Sequence, residues 1–130
     1  MENIHVPVSP GEVLDKITIL EIKSERMTDP QKLANVRIEL ELLQKTWAAA
    51  ITEDDTIHNL HAQLKEINEA LWEIEDDIRD EERNKRFGER FIELARAVYV
   101  TNDERANAKK KVNLHLDSSI VEEKSYQDYR

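Results

Sequence analysis

The chain has 130 residues, with 19 Lys and Arg against 28 Asp and Glu, for a formal net charge of −9. It contains no Cys, which removes disulfides, thiolate metal sites and Cys nucleophiles, and only two glycines, Gly11 and Gly88, too few for a phosphate-cradling loop. One domain with a hydrophobic core is expected at this length. The acidic balance makes nucleic acid an unlikely partner, because phosphate binding needs a basic footprint.

The N-terminal stretch MENIHVPVSPGEVL has neither a basic region nor an apolar core, so it does not read as a signal peptide. The longest apolar run, WAAAI at 47–51, is far too short to span a membrane. The expectation is a cytoplasmic protein.

Scarce Gly and Pro favour helix. Ser9-Pro10-Gly11-Glu12 has the form of a capping box with Pro at the first helical position, and predicts a helix over about 10–27. Val13, Ile17, Leu20 and Met27 form its inner seam. Ile19 and Ile22 lie off that seam, and Asp15, Lys16, Thr18 and Lys23 are interleaved with apolar residues. A helix apolar on more than one side is flanked on more than one side, so some of these polar groups need buried partners.

Asp29-Pro30 opens a second helix over about 30–51, with a heptad seam of Leu33, Val36, Leu40, Leu43, Trp47 and Ala50. The segment TEDDT holds a cap, and a third helix over about 56–85 carries Ile57, Leu60, Leu64, Ile67, Leu71, Ile74 and Ile78 at the same spacing. Two such seams joined by a short loop predict a long antiparallel hairpin of helices two and three. A break or kink is expected near 84–88, with a continuous bent helix as the alternative, then a helix over 88–100. Thr101-Asn102-Asp103-Glu104 has capping-box spacing and predicts a further helix over 102–116, with a short tail helix over 118–127. The fold class is therefore all-α, a bundle of about five helices built on that hairpin.

The charge is segregated. Residues 53–82 hold twelve acids against Lys65 and Arg79, whereas residues 83–111 hold nine Lys and Arg against four acids. Glu66, Glu69, Glu73, Asp76 and Asp80 form a stripe beside the third helix's seam. It reads first as a solvated face, second as a pairing surface within the bundle or across a dimer. A third reading is a Mg²⁺ site at Glu66, Glu69, Glu73 and Asp76, which superficially resembles small all-α nucleotide pyrophosphohydrolases. His58 and His61, with Asp55, have the spacing of a metal pair but read better as first-turn polar residues.

The first helix has a remote likeness to that of all-α chorismate mutases, with Arg26 in the Arg place. A broader resemblance is carried by VSPGEVLDKITILEIKSERM, LWEIEDDIRDEE, FIELARAVYVTNDERANAKKKVN and SSIVEEKSYQDY. Together they resemble a bacterial and phage family catalogued only as a domain of unknown function. The resemblance implies an all-α fold and, from genomic company, a setting in surface-polysaccharide or lipopolysaccharide biosynthesis. It brings no catalytic residues.

Its segments hold a polar set that a bare scaffold does not require: Glu75, Asp76, Arg79, Asn102, Asp103, Arg105, Lys109, Asn113, Glu123, Lys124 and Tyr126. Of these, Asp76, Arg79, Asn102, Arg105, Lys109, Asn113, Lys124 and Tyr126 are the candidate ligand-binding residues. A network of caps and ion pairs is the plainer explanation; a site for a phosphate or carboxylate is the sharper one. The leading functional expectation is a self-associating interaction or accessory protein, a dimer for preference, with no cofactor. The alternative is a small enzyme or binder for an anionic metabolite, with Mg²⁺ only in the pyrophosphohydrolase-like case.

Overall fold

A computed structural model describes residues 1–130 as four helices with no strands: α1 (Pro10–Arg26), α2 (Pro30–Ala50), α3 (Asp55–Arg83) and α4 (Glu89–His115). Three of the four starts follow the caps legible in the sequence. The Ser9 hydroxyl accepts from the Glu12 amide at 3.1 Å. The Asp29 carboxylate accepts from the amides of Gln31 and Lys32, and that of Asp54 from the amide of Ile57. The capping box at Ser9 is half made, because the Glu12 carboxylate turns outward to Lys109.

α1 is the central element. It packs against all three other helices and buries Leu14, Ile17, Leu20 and Ile22 together with Asp15 and Thr18. Its apolar residues on more than one side correspond to those several neighbours. The main core is Leu14 and Ile17 of α1, Trp47 of α2, Ile57, Leu60, Leu64 and Ile67 of α3, and Ala108 and Val112 of α4.

The hairpin is formed by a different pair than expected. α3 packs on α4, and the bond from His115 to Asp54 joins the end of one to the start of the other, so they run antiparallel. α2 lies against α1, and its backbone does not come close to that of α3. The seam of α3 is already occupied by α1 and α4, so the α2 seam meets α1 and only Val36 and Trp47 become buried.

Four helices stand where about five were expected. The helices anticipated over 88–100 and 102–116 are one, because the α4 seam runs unbroken through Leu94, Val98, Thr101, Arg105, Ala108 and Val112. Two of its members are polar, which disguised it as two shorter apolar stretches. No Gly or Pro interrupts it, and the Thr101 capping-box pattern lies inside the helix. The break falls where expected, at 84–88, with Lys85 in the left-handed region (φ 56°). The tail expected as a helix over 118–127 has no regular structure. Its apolar residues have no helical period, and polar contacts hold it instead.

The outer parts of α3 and α4 pack mainly on each other. Of the apolar residues from Ile74 to Val100, only Leu94 is buried. No helix is long and apolar enough to cross a membrane.

Candidate functional site

The site is organised around a carboxylate with no solvent exposure. Asp15 stands in the second turn of α1, where that helix faces both α3 and α4, and its side chain is 0% exposed. Such a group is costly unless it is fully hydrogen-bonded. Arg105 supplies two bonds from the polar gap in the α4 seam: Nε donates to Asp15 Oδ1 at 2.9 Å and Nη2 to Oδ2. Asn68 of α3 donates from Nδ2 to the same Oδ1 at 2.9 Å and to Thr18 Oγ1 at 3.0 Å. Thr18 in turn donates to the Asp15 carbonyl at 2.7 Å. The hydrogen bond to Asp15 is the chief reason that the Arg105 pKa is raised above its ordinary value.

Above this knot lies an open groove of about 450 Å³ between α1, α3 and α4. Its apolar wall is Ile19, Ile22, Leu71 and Trp72. Its polar lining is Asn68, Glu75, Asp76, Arg79 and Arg105. A mainly apolar cleft with a few convergent polar groups is the usual form of a small-molecule site. Arg79 reaches it from the outer part of α3, paired with Glu75 one turn back, and that bond raises its pKa.

Of the residues singled out from the sequence, Asp76, Arg79 and Arg105 share this groove. Lys109 and Asn113 do not. They belong to a second polar knot at the root of α1. There, Asn113 Oδ1 accepts from the Gly11 amide at 2.7 Å, and Asn113 Nδ2 donates to Glu122 Oε2 at 2.9 Å. The Ser9 hydroxyl donates to Glu122 Oε1, and Lys109 donates to Glu12. Burial pushes the Glu122 carboxyl up, but the bonds from Ser9 and Asn113 and the nearby Lys109 charge outweigh it, and its pKa is lowered.

Lys124 and Tyr126 line a separate hollow formed by the tail with Tyr99, Asp103 and Tyr129. The Lys124 ammonium stands 5.6 Å from the Tyr126 ring centre. Tyr129 donates to Asp103 at 2.6 Å and meets Tyr99 edge-on. Asn102 is half-buried on α4, with no side-chain hydrogen bond.

The carboxylates considered for a metal are dispersed. Glu69 and Glu73 both pair with Arg26, the residue that drew the chorismate-mutase comparison. His61 bonds Glu21 and His58 bonds Glu53. No group of three or more His, Asp or Glu side chains is placed to share a metal ion.

Asp15 and Thr18 were legible as interleaved polar residues, but not as the centre of a site. Ile19 and Ile22 stood out as apolar residues off the α1 seam, whereas Asn68 and Trp72 carried no such signal. Asn68 sits directly beside the seam residue Ile67, and only the crossing of α1 over α3 turns it into the Asp15 pocket.

No curated protein and no solved structure matches the chain. The model of a family of unknown function (DUF6165) matches residues 4–129. With nearly its whole length inside that match, the chain belongs to this family.

Proposed function

We propose that the chain is a small binding module whose α1–α3–α4 groove takes an anionic metabolite. The observation that carries this reading is the joint placement of Arg105 and Asp15. The groove's inner cation is held by a fully buried carboxylate, itself fixed by Asn68. A well-packed apolar pair often serves stability as well as or better than a buried ion pair. The charged pair is better accounted for by a need to fix a guanidinium at one spot beside an apolar wall. The setting, an accessory role in surface-polysaccharide biosynthesis, follows the family resemblance rather than the geometry, and a cytoplasmic location follows the character of the N-terminal sequence.

The test is thermal stability against a panel of phosphorylated and carboxylated metabolites. A ligand at ten times its Kd adds about 1.4 kcal/mol, roughly 4–6 °C in Tm for a domain of this size. Such a shift, abolished by Arg105→Gln, supports the reading. A panel without any shift in the wild type sinks it.

A second reading, self-association, has its own observation. Phe87 and Ile92 on the outer arm of α3 and α4 are each about half exposed, and Ile74, Ile78 and Phe91 beside them are only partly covered. A second copy would cover this arm in a four-helix arrangement. Light scattering is expected to give a dimer that Phe87→Lys with Ile92→Glu dissociates. A wild-type monomer at all working concentrations contradicts it.

A further inference from the structure

The groove's polar groups divide into those engaged by the protein and those left free. Asn68 is the most informative. The single hydroxyl hydrogen of Thr18 goes to the Asp15 carbonyl, so Thr18 Oγ1 must accept from Asn68. The Asp15 carboxylate, as the partner of Arg105, accepts as well. Both contacts therefore turn the amide nitrogen of Asn68 inward and its oxygen outward. Asn68 is only 6% exposed, its Oδ1 has no protein partner, and no buried side-chain oxygen or nitrogen in the molecule lacks one. That oxygen consequently opens on the groove that Asn68 lines.

Arg105 is divided in the same way. Nε and Nη2 are engaged by Asp15, while Nη1 has no partner. In the groove wall the Trp72 indole N–H makes no hydrogen bond within the protein, and Asp76, at an exposed position, forms no ion pair. The site thus offers two acceptors, Asn68 Oδ1 and Asp76, and one free donor edge, Arg105 Nη1. A second guanidinium, Arg79, whose Nη1 is held by Glu75, and the apolar wall of Trp72, Ile19 and Ile22 complete it.

From this division, and resting on the groove reading above, we infer that the ligand is a hydroxyl-rich dianion of the sugar phosphate class. Its phosphate meets the free edge of Arg105 and the neighbouring Arg79. Ring hydroxyls donate to Asn68 Oδ1 and Asp76, and a C–H face lies on Trp72. An inorganic anion leaves both acceptors unmatched, and a neutral sugar leaves the guanidinium groups unmatched. A polar group in the site left without a partner costs affinity.

Calorimetric titration of the full chain with orthophosphate, free glucose, glucuronate, phenyl phosphate and the 1-phosphates of glucose, galactose and mannose tests the inference. At least one hexose 1-phosphate is expected to bind tenfold or more tighter than every other compound. Asp76→Ala, a change at an exposed position, is expected to lower that affinity about five- to tenfold and not to weaken the binding of phenyl phosphate. Phenyl phosphate binding as tightly as the best sugar phosphate overturns the hydroxyl-rich assignment and leaves the groove as an anion site. Glucuronate binding as tightly overturns the phosphate assignment. Absence of binding by every anion overturns the groove reading itself.

Discussion

Asp15 shows most clearly how much of this molecule is decided by single side chains. Its carboxylate receives bonds from Arg105 and Asn68, which belong to two other helices, so one residue of α1 fixes the meeting of three elements. Removing it leaves a guanidinium and an amide facing an apolar hole. Asp15→Ala is therefore expected to cost about 3–5 kcal/mol in chemical denaturation. Replacing both partners, Asp15→Leu with Arg105→Met, should recover most of that loss while abolishing anion binding. A double variant as unstable as Asp15→Ala would show instead that the pair is needed for the fold.

Gly11 is a second case. A Cβ there would stand 2.5 Å from the Lys109 carbonyl oxygen and 2.8 Å from Asn113 Oδ1. The first of these is backbone and cannot move aside alone. Gly11→Ala should cost roughly 1–3 kcal/mol by the same measurement. Nothing in the sequence marked Gly11 for this role, since it also fits the first turn of a Pro-initiated helix. The close approach of α4 is a property of the packing.

At the scale of elements, local signals were legible and partner choice was not. Ser9, Asp29 and Asp54 each cap the helix that the sequence assigns them, because a cap depends on neighbours within four residues. The Thr101 box has the same local form but lies within α4, where packing on α3 and the bond from Arg105 to Asp15 hold the chain helical. Asn102→Pro should accordingly cost about 3 kcal/mol or more, the cost of Pro inside a helix. Near-neutral behaviour would point to a helix start at that position.

The contact between α1 and α3 is expected to respond to pH. The His61 pKa is raised above 6.5, chiefly by its hydrogen bond to Glu21 of α1 and despite partial burial. A group with a raised folded pKa contributes fully below its unfolded value and loses that contribution as pH rises through the folded value. Wild-type Tm should thus decline above pH 6.5, and His61→Gln should flatten the decline. Glu122 behaves oppositely: its lowered pKa makes the tail contact contribute above pH 4.5, a contribution lost as the medium turns more acidic. Glu122→Gln should remove that acid-side sensitivity.

For the whole molecule, the segregated charge has a physical meaning. The basic stretch meets acids of α1 and α3 within the fold, while Glu69 and Glu73 of the acidic stripe pair with Arg26 instead. Arg90 of α4 reaches Asp77 of α3, Arg86 of the connecting loop reaches Glu81, and Arg105 and Lys109 reach the acids of α1. Much of the basic stretch is therefore paired with acids of the same chain. The all-α class was legible from period and capping alone. The groove was only half legible: Asp76, Arg79 and Arg105 carry charges that stand out in a sequence. Trp72 and Asn68 look like ordinary helix residues until α1 crosses above them.

The central claim is that the groove over the Asp15–Arg105 pair is a ligand site. An ¹H–¹⁵N NMR titration with a hexose 1-phosphate tests it most directly. The account predicts saturable shifts in the Trp72 indole, the Asn68 side-chain amide and the Arg105 Nε–H, with the tail residues Lys124 and Tyr126 unmoved. Shifts confined to the tail, or none at saturating ligand, would contradict it.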